Sequence, residues 1–381
     1  MYHGGWQGQE LDGYGMTKAL VCALGLMTGT SLDGVDAAII ETDGRNIIRP
    51  GPGLFLEFKK DVREDLQAAT DRALELGEKV SDDPIVRAGE QALTAVCAEA
   101  IASLVITAPE TPNLVGFHGQ TILHIPERKI TWQMGDGARL ARMSGYPVVW
   151  DFRSADVVAG GQGAPLAPLY HRALVRNAGL TGPIAILNIG GVANVTYING
   201  DDIMAFDTGP GNGLIDAWVQ HHTDQMFDSE GIIAAKGQID RDRLGNMLGD
   251  DWFRTPPPKS IDRYDFSIAP VEGLSLTDGA ATLTAFTIES MGMAVQHLPT
   301  PPEHWFVCGG GSKNIHIMNS LETLLKVKID TIEELGGRSD LLEAEAFAYL
   351  AVRSKLGLPL SLPETTGVPS PLTGGVLSQP L

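Results

Sequence analysis

The chain has 381 residues, 43% of them hydrophobic and 20% charged, with a formal charge of −19. That length exceeds what one hydrophobic core usually supports, so two domains are expected. The acidic balance argues against a nucleic-acid or anionic-membrane partner, either of which needs a basic face.

Residues 1–17 are polar and Gly-rich, without the basic start and apolar core of a signal peptide, and read as a flexible extension. Beyond them no apolar run approaches the roughly 20 residues of a membrane span. Cys22, Cys97 and Cys308 sit singly in apolar runs and read as small buried hydrophobes in a reducing compartment. The expected location is the cytoplasm.

The first predicted strand, Ala19–Met27, is nearly all apolar, as in a central strand covered on both faces. A polar turn, Thr28–Gly34, leads into a second strand, Val35–Glu41, and Asp43-Gly44 supplies a hairpin signal. Helical spacing follows over Lys60–Glu78 and Pro84–Val105. Short strands are expected at Leu114–Phe117, before the turn His118-Gly119-Gln120-Thr121, and at Pro147–Trp150, before Asp151-Phe152-Arg153. Gly160–Leu166 reads as a flexible turn opening a helix, suited to a ligand loop or a hinge.

The second half repeats this plan. Strand Ile184–Ile189, turn Gly190-Gly191 and strand Ala193–Ile198 are followed by strand Ile203–Phe206 and the turn Asp207–Asn212. A helix starts near Gly213, and further helices are expected over Gly279–Gln296, Lys313–Leu325 and Asp340–Leu356. Strand Trp305–Val307 precedes the turn Gly309–Ser312. Repeated strand–Gly turn–strand units among helices indicate two related α/β domains with a cleft between them.

Four Gly-rich turns follow apolar strands, where open α/β sheets carry ligand sites: Gly29–Gly34, Gly190–Asn194, Asp207–Asn212 and Gly309–Asn314. None is a Walker A loop, and Gly309-Gly310-Gly311 lacks dinucleotide spacing. The first turn, with Asp33 and Asp36, fits either a phosphate-plus-Mg²⁺ site or an ordinary polar hairpin turn. Asp207, between an apolar strand and Gly-Pro-Gly, is the candidate base; an N-cap or Asx turn is the alternative. His118 either orients a substrate hydroxyl or closes a turn, and with His124 it lacks the partners of a metal site. Arg153 is either a carboxylate clamp or an ion-pair partner of Asp151 and Asp156. Glu343 and Glu345 read, by pattern, as solvated charges at a helix start.

Taken in order, GLMTGTSLDGVDAA (Gly25–Ala38), GFHGQT (Gly116–Thr121), DFRSADVVAGGQGAPL (Asp151–Leu166), LNIGGVANVT (Leu187–Thr196), FDTGPGN (Phe206–Asn212), CGGGSKN (Cys308–Asn314) and PETTGVPSPLTGG (Pro363–Gly375) resemble the anhydro-N-acetylmuramic acid kinases. The resemblance runs from about Leu24 to Leu377. It implies an actin/hexokinase/Hsp70-type fold, two related α/β domains flanking an ATP cleft, with ATP and Mg²⁺ as cofactors and a homodimer as the common assembly. The expected division is 18–150 completed by 358–381, against 151–357. By motif position, the residues expected at ATP phosphates and adenosine are Gly29, Thr30, Ser31, Leu32, Asp33, Gly34, Val35, Asp36, Gly190, Gly191, Asn194, Gly209, Gly211, Asn212, Gly309, Gly310 and Gly311. Asp33 is expected to reach Mg²⁺ through water. Asp207 matches the family's base, and His118, Gln120, Arg153 and Glu343 match sugar-contacting positions.

Overall fold

The computed structural model describes residues 20–29, 31–261 and 265–381. Thr30 and the extension 1–17, both named above, lie outside the described residues. The first half comprises β1 (Val21–Met27), β2 (Gly34–Thr42), β3 (Ile48–Glu57), α1 (Lys60–Leu76), α2 (Pro84–Thr107), β4 (Leu114–Phe117), β5 (Gln120–Ile125), β6 (Ile130–Met134), α3 (Gly137–Ser144), β7 (Val148–Trp150) and α4 (Ser154–Ala159). There follow α5 (Pro168–Asn177), β8 (Ile184–Ile189), β9 (Val192–Asn199), β10 (Asp202–Pro210), α6 (Gly213–His222), α7 (Arg241–Leu248), α8 (Leu276–Ala294), β11 (His304–Cys308), α9 (Ile315–Leu325), β12 (Ile329–Thr331), α10 (Leu342–Lys355), α11 (Pro363–Thr366) and β13 (Val376–Ser378).

One sheet runs β13-β7-β4-β1-β2-β3 and the other β10-β9-β8-β11-β12. Both contain an antiparallel three-strand meander followed by two parallel strands on the far side of its first strand. Thus β1 corresponds to β8, β2 to β9, β3 to β10, β4 to β11 and β7 to β12. The expected duplication is therefore present in strand order and direction. It is the architecture of the actin/hexokinase-type α/β ATPases.

Local chemistry accounts for several boundaries. Gly77, at φ 63°, closes α1 by donating to the Ala73 carbonyl. Asp83 caps α2 by accepting from the Ile85 and Val86 amides, and Ser275 and Asn314 cap α8 and α9 in the same way. Ser275 starts α8 a turn earlier than the apolar spacing suggested. The unexpected strand β3 contains two prolines and two glycines, which an edge strand tolerates because one side of its backbone is unpaired.

The hairpin β5–β6 and helices α3 and α7 were not expected either, whereas α5 is the helix that the Gly160–Leu166 turn was expected to open. Helix α2 corrects another expectation: by length and composition alone it could cross a membrane. Here Leu93, Cys97, Ile101 and Leu104 bury its face in the first core. All three cysteines are unpaired and buried, as expected.

The segment read as a flexible turn, Gly160–Leu166, is pinned. Asp156 accepts from the Gly163 amide at 2.6 Å and the Thr366 hydroxyl at 2.6 Å, and Gln162 N donates to the Thr366 carbonyl at 2.7 Å. The amides of Gly160, Gly161, Gln162 and Gly163 are all spent on the protein, which leaves little freedom for a hinge.

Helix α10 packs chiefly on β1, β2 and β4. Gly25 and Gly116 are register partners in the parallel strands β1 and β4. A Cβ on Gly25 would stand 1.8 Å from the Ala344 carbonyl oxygen, and one on Gly116 2.2 Å from that of Phe347. The helix backbone therefore rests on the sheet backbone, and rigid main chain opposes any larger residue there. Gly116→Val should lower the melting temperature by several degrees. Gly245→Ala, within α7 and with open space where the methyl would go, should instead stabilise by about 0.5–1 kcal/mol. Thermal unfolding of the two variants beside the parent checks both signs.

A candidate active site in the cleft

A cavity of about 500 Å³ opens between the two sheets. Its wall carries Gly29 and Asp36 from the first unit and Gly190, Gly191, Asn194, Asp207 and Gly309 from the second. Arg153, Glu343 and Phe347 line it as well.

In the first turn, Leu32 takes a left-handed backbone (φ 53°) and donates to the Gly29 carbonyl at 3.3 Å. The Leu32 and Val35 side chains lie in the first core, so only their backbone is available to a ligand. The Asp33 carboxylate accepts from the Ser31 hydroxyl at 2.8 Å and is exposed. Gly34 is packed against Leu56 and Phe55 of the neighbouring strand. Of the two loop carboxylates, Asp36 is the one on the cleft wall. Burial, then Asp33, Glu343 and Asp340, push it up to about 7. A cation would relieve that crowding. Among the described residues no cluster of three or more His, Cys, Asp or Glu could hold a metal alone.

The second unit is built by close backbone approach. The amides of Gly211, Asn212 and Gly213, at the start of α6, donate back to the carbonyls of Gly190 and Gly191 at 2.7–3.1 Å. A Cβ on Gly211 would meet the Gly190 oxygen at 2.2 Å. Gly209 (φ 137°) follows the bulge in β10, and Asn212 donates its amide to Ile189 O at 3.1 Å. These three residues shape the turn and are not on the cleft wall. Gly309 (φ 75°) and Gly311 pack against the end of β8, where a side chain would strike Asn188 or Ile189. Gly310 lies beside Asn212.

Register places Asn188, Asn194 and Asp207 side by side across β8, β9 and β10, and all three line the cleft. Asn188 was not singled out in the sequence; a lone amide inside the apolar run Ile184–Ile189 was its signal. Asp207 is no helix cap. Its Oδ2 accepts from the Ile261 amide at 2.9 Å, and its own amide donates to the Lys259 carbonyl at 3.1 Å. Burial pushes its carboxyl up to about 7, against the Ile261 hydrogen bond and the Lys259 charge. A carboxylate poised there can take a proton near neutral pH.

Arg153 pairs with neither Asp151 nor Asp156. Its Nε donates to His118 Nε2 at 3.0 Å and its Nη1 to the Gly163 carbonyl at 2.6 Å. His118 therefore carries its proton on Nδ1, which donates to Gly119 O at 2.7 Å. Burial and the Arg153 charge hold the His118 imidazole neutral, well below its usual range. Its ring packs on Phe347 of α10, with centroids 4.5 Å apart.

Arg153 is lowered to about 10 by burial, against Glu343 and Asp156. Nη2 is left without a hydrogen bond among the described residues. His118 and Gln120 are buried behind the wall and do not line the cavity. The Gln120 amide donates weakly to Thr121 O at 3.5 Å.

The glutamates of α10 correct the reading of solvated charges. Glu345 is fully buried and accepts from Arg338 Nε at 2.6 Å and the Tyr170 hydroxyl at 2.9 Å. Glu343 meets cleft solvent, yet protein surrounds it closely enough that desolvation raises its carboxyl, opposed by Arg153.

Comparison with known proteins agrees across the chain. Residues 21–379 match the family model described as anhydro-N-acetylmuramic acid kinase. A relative of that name from Rhizorhabdus wittichii is 51% identical, covering 96% of this chain and 100% of the relative. Those from Acidiphilium cryptum and Rhodospirillum rubrum are 49% and 50% identical, covering 94% and 93% of this chain and 98% and 93% of their own. The chain belongs to the anhydro-N-acetylmuramic acid kinase family.

Proposed function

We propose that this protein is an ATP-dependent kinase that converts 1,6-anhydro-N-acetylmuramic acid and water to N-acetylmuramic acid 6-phosphate in bacterial cell-wall recycling. The observation that carries the reading is Asp207, a hydrogen-bonded carboxylate held near neutral pKa on a cleft that also presents Gly29, Gly190 and Gly309.

The substrate has no free 6-hydroxyl, because O6 is bonded to C1. Asp207 takes a proton from water as that water attacks C1. The C1–O6 bond breaks, and O6 forms its bond to the γ-phosphorus while the bond to ADP breaks. One proton ends on Asp207, and all other atoms are in the two products.

The Gly29–Asp36 and Gly190–Asn194 turns hold the phosphates through backbone N–H groups, and Gly309–Gly311 lies toward the adenosine. Mg²⁺ when bound neutralises phosphate charge, with Asp36 and, through water, Asp33 as its protein partners. Its habit of keeping water and phosphate ligands fits a site that offers few carboxylates. Arg153, whose Nη2 meets no acceptor among the described residues, clamps the lactyl carboxylate; His118 fixes the guanidinium from behind. Glu343 contacts the sugar, and Gln120 supports that wall.

The bodies that close on the substrates are 18–150 with 358–381, and 151–357. ATP dependence and three unpaired cysteines support a cytoplasmic location, and the family resemblance supports a homodimer.

Incubation with ATP, Mg²⁺ and the anhydro sugar should yield the 6-phosphorylated sugar, with labelled water oxygen on C1. No phosphorylated product sinks the function, and an unlabelled C1 sinks the water-attack step. Because Asp207 must be ionised, kcat/KM for the sugar should fall as pH drops through about 7. Asp207→Asn should abolish turnover while retaining nucleotide binding.

The same substitution has a second expected effect. The raised carboxyl penalises the folded state progressively from its unfolded value near 4 up to about 7, and fully above that. Asp207→Asn should therefore raise the melting temperature at pH 8, which thermal unfolding across pH would show.

A further inference from the structure

The segment leading to Ile261 is folded back on itself beside the base. Lys259 Nζ donates to the carbonyls of Trp252 and Phe253, at 3.1 and 3.2 Å. The same ammonium lies 4.2 Å from the centre of the Trp252 ring. Trp252 Nε1 in turn donates to the Ser260 carbonyl at 3.3 Å, closing the loop from the other side. From this knot two backbone contacts reach Asp207: the Lys259 carbonyl receives its amide, and the Ile261 amide donates to its Oδ2. Lys259 makes no ion pair with Asp207 within 4 Å among the described residues. Its charge is held close to the carboxylate but is prevented from collapsing onto it.

The geometry points to Lys259 as a positioning residue for the base: anchored on Trp252, it fixes the loop that orients Asp207 and supplies a nearby fixed positive charge. This rests on Asp207 being the base.

The other groups around Asp207 leave that role to Lys259. From α5, His171 is buried, held neutral at about 4 and bonded to Thr196, while Arg172 and Arg176 engage Asp201. From α8, Glu289 pairs with Arg241, and Asp278 accepts from the Gln238 amide. Helix α11 brings only Glu364, which is exposed, and β9 brings the uncharged Asn194. Asp36, Asp340, Glu343 and Arg153 stand on other walls of the same cavity, and His297, packed on Phe206, bonds the Phe253 carbonyl that also receives Lys259.

Mutual influence is consistent with this arrangement: the Lys259 charge lowers the Asp207 carboxyl, while burial depresses Lys259 itself to about 8. The ammonium is thus charged through the range in which the base must ionise. A cation at fixed distance stabilises the carboxylate without blocking its free oxygen from water.

The test is the pH profile of kcat/KM for the anhydro sugar in the full-length enzyme. Lys259→Met should move the acidic limb up by about one pH unit, a rate about tenfold lower on the acid side with less loss at pH 8. Lys259→Arg should keep the wild-type limb. Lys259→Gln serves the same purpose should Met fail to fold. An unmoved limb in the uncharged variants, whatever their activity, overturns the proposal, as does an equal displacement in Lys259→Arg. Asp207→Asn, run alongside, separates the two readings. If that variant retains turnover, the base assignment itself is wrong; if it is inactive while the Lys259 limbs stay put, only the role of Lys259 falls.

Discussion

The contact on which the cleft depends is main chain against main chain. Helix α10 reaches β1 and β4 only because Gly25 and Gly116 present no side chains to it. That approach sets the height of the helix over the sheet. It places Phe347 beneath His118 and Arg153, and Glu343 at the cavity wall. One face of α10 packs into the sheet of the first unit, while Glu345 reaches Tyr170 of α5. The helix is therefore shared by both units, and its seating fixes the wall between them.

Electrostatics then divide the cavity by function. Around Asp36, Asp33, Glu343 and Asp340 add their repulsion to burial, and the region is short of positive charge. Around Asp207, burial is opposed by one amide and one lysine, and the carboxylate comes to rest near neutrality. Burial raises both groups to a similar level, but their charged neighbours differ. The first is crowded by like charge and favours a cation. The second is buried without like charge beside it and favours a proton. Two acids on one cavity can thus serve distinct ends without differing in chemical type.

The duplicated strands, the Gly turns and Asp207 were legible because each rests on local pattern: apolar runs, turn residues, and a carboxylate before Gly-Pro-Gly. What local pattern cannot express was missed. β3 carries turn residues inside a strand that only its pairing with β2 explains. Glu345 stands on a helix whose surroundings are buried on every side, so periodicity gave no warning that it has partners from α5 and from Arg338. His118 was expected to orient a hydroxyl or close a turn; it does bond Gly119 O, but its other nitrogen supports Arg153 from within. Asn188 reaches the cleft wall through register, and Lys259 reaches the backbone of Asp207 through loop closure, neither of which spacing along the chain reveals. The motif resemblance named segments that meet around one cavity but did not distinguish residues on its wall from those behind it.

Asp156 is bonded to Thr366, 210 positions away, and Gln162 N completes the tie to the same residue. The backbone that receives Arg153 is therefore braced by a segment synthesised long after it. During synthesis both sheets can begin to pair while this brace is still missing. A chain cut short before Thr366 would carry its Gly-rich turns without the brace for Arg153.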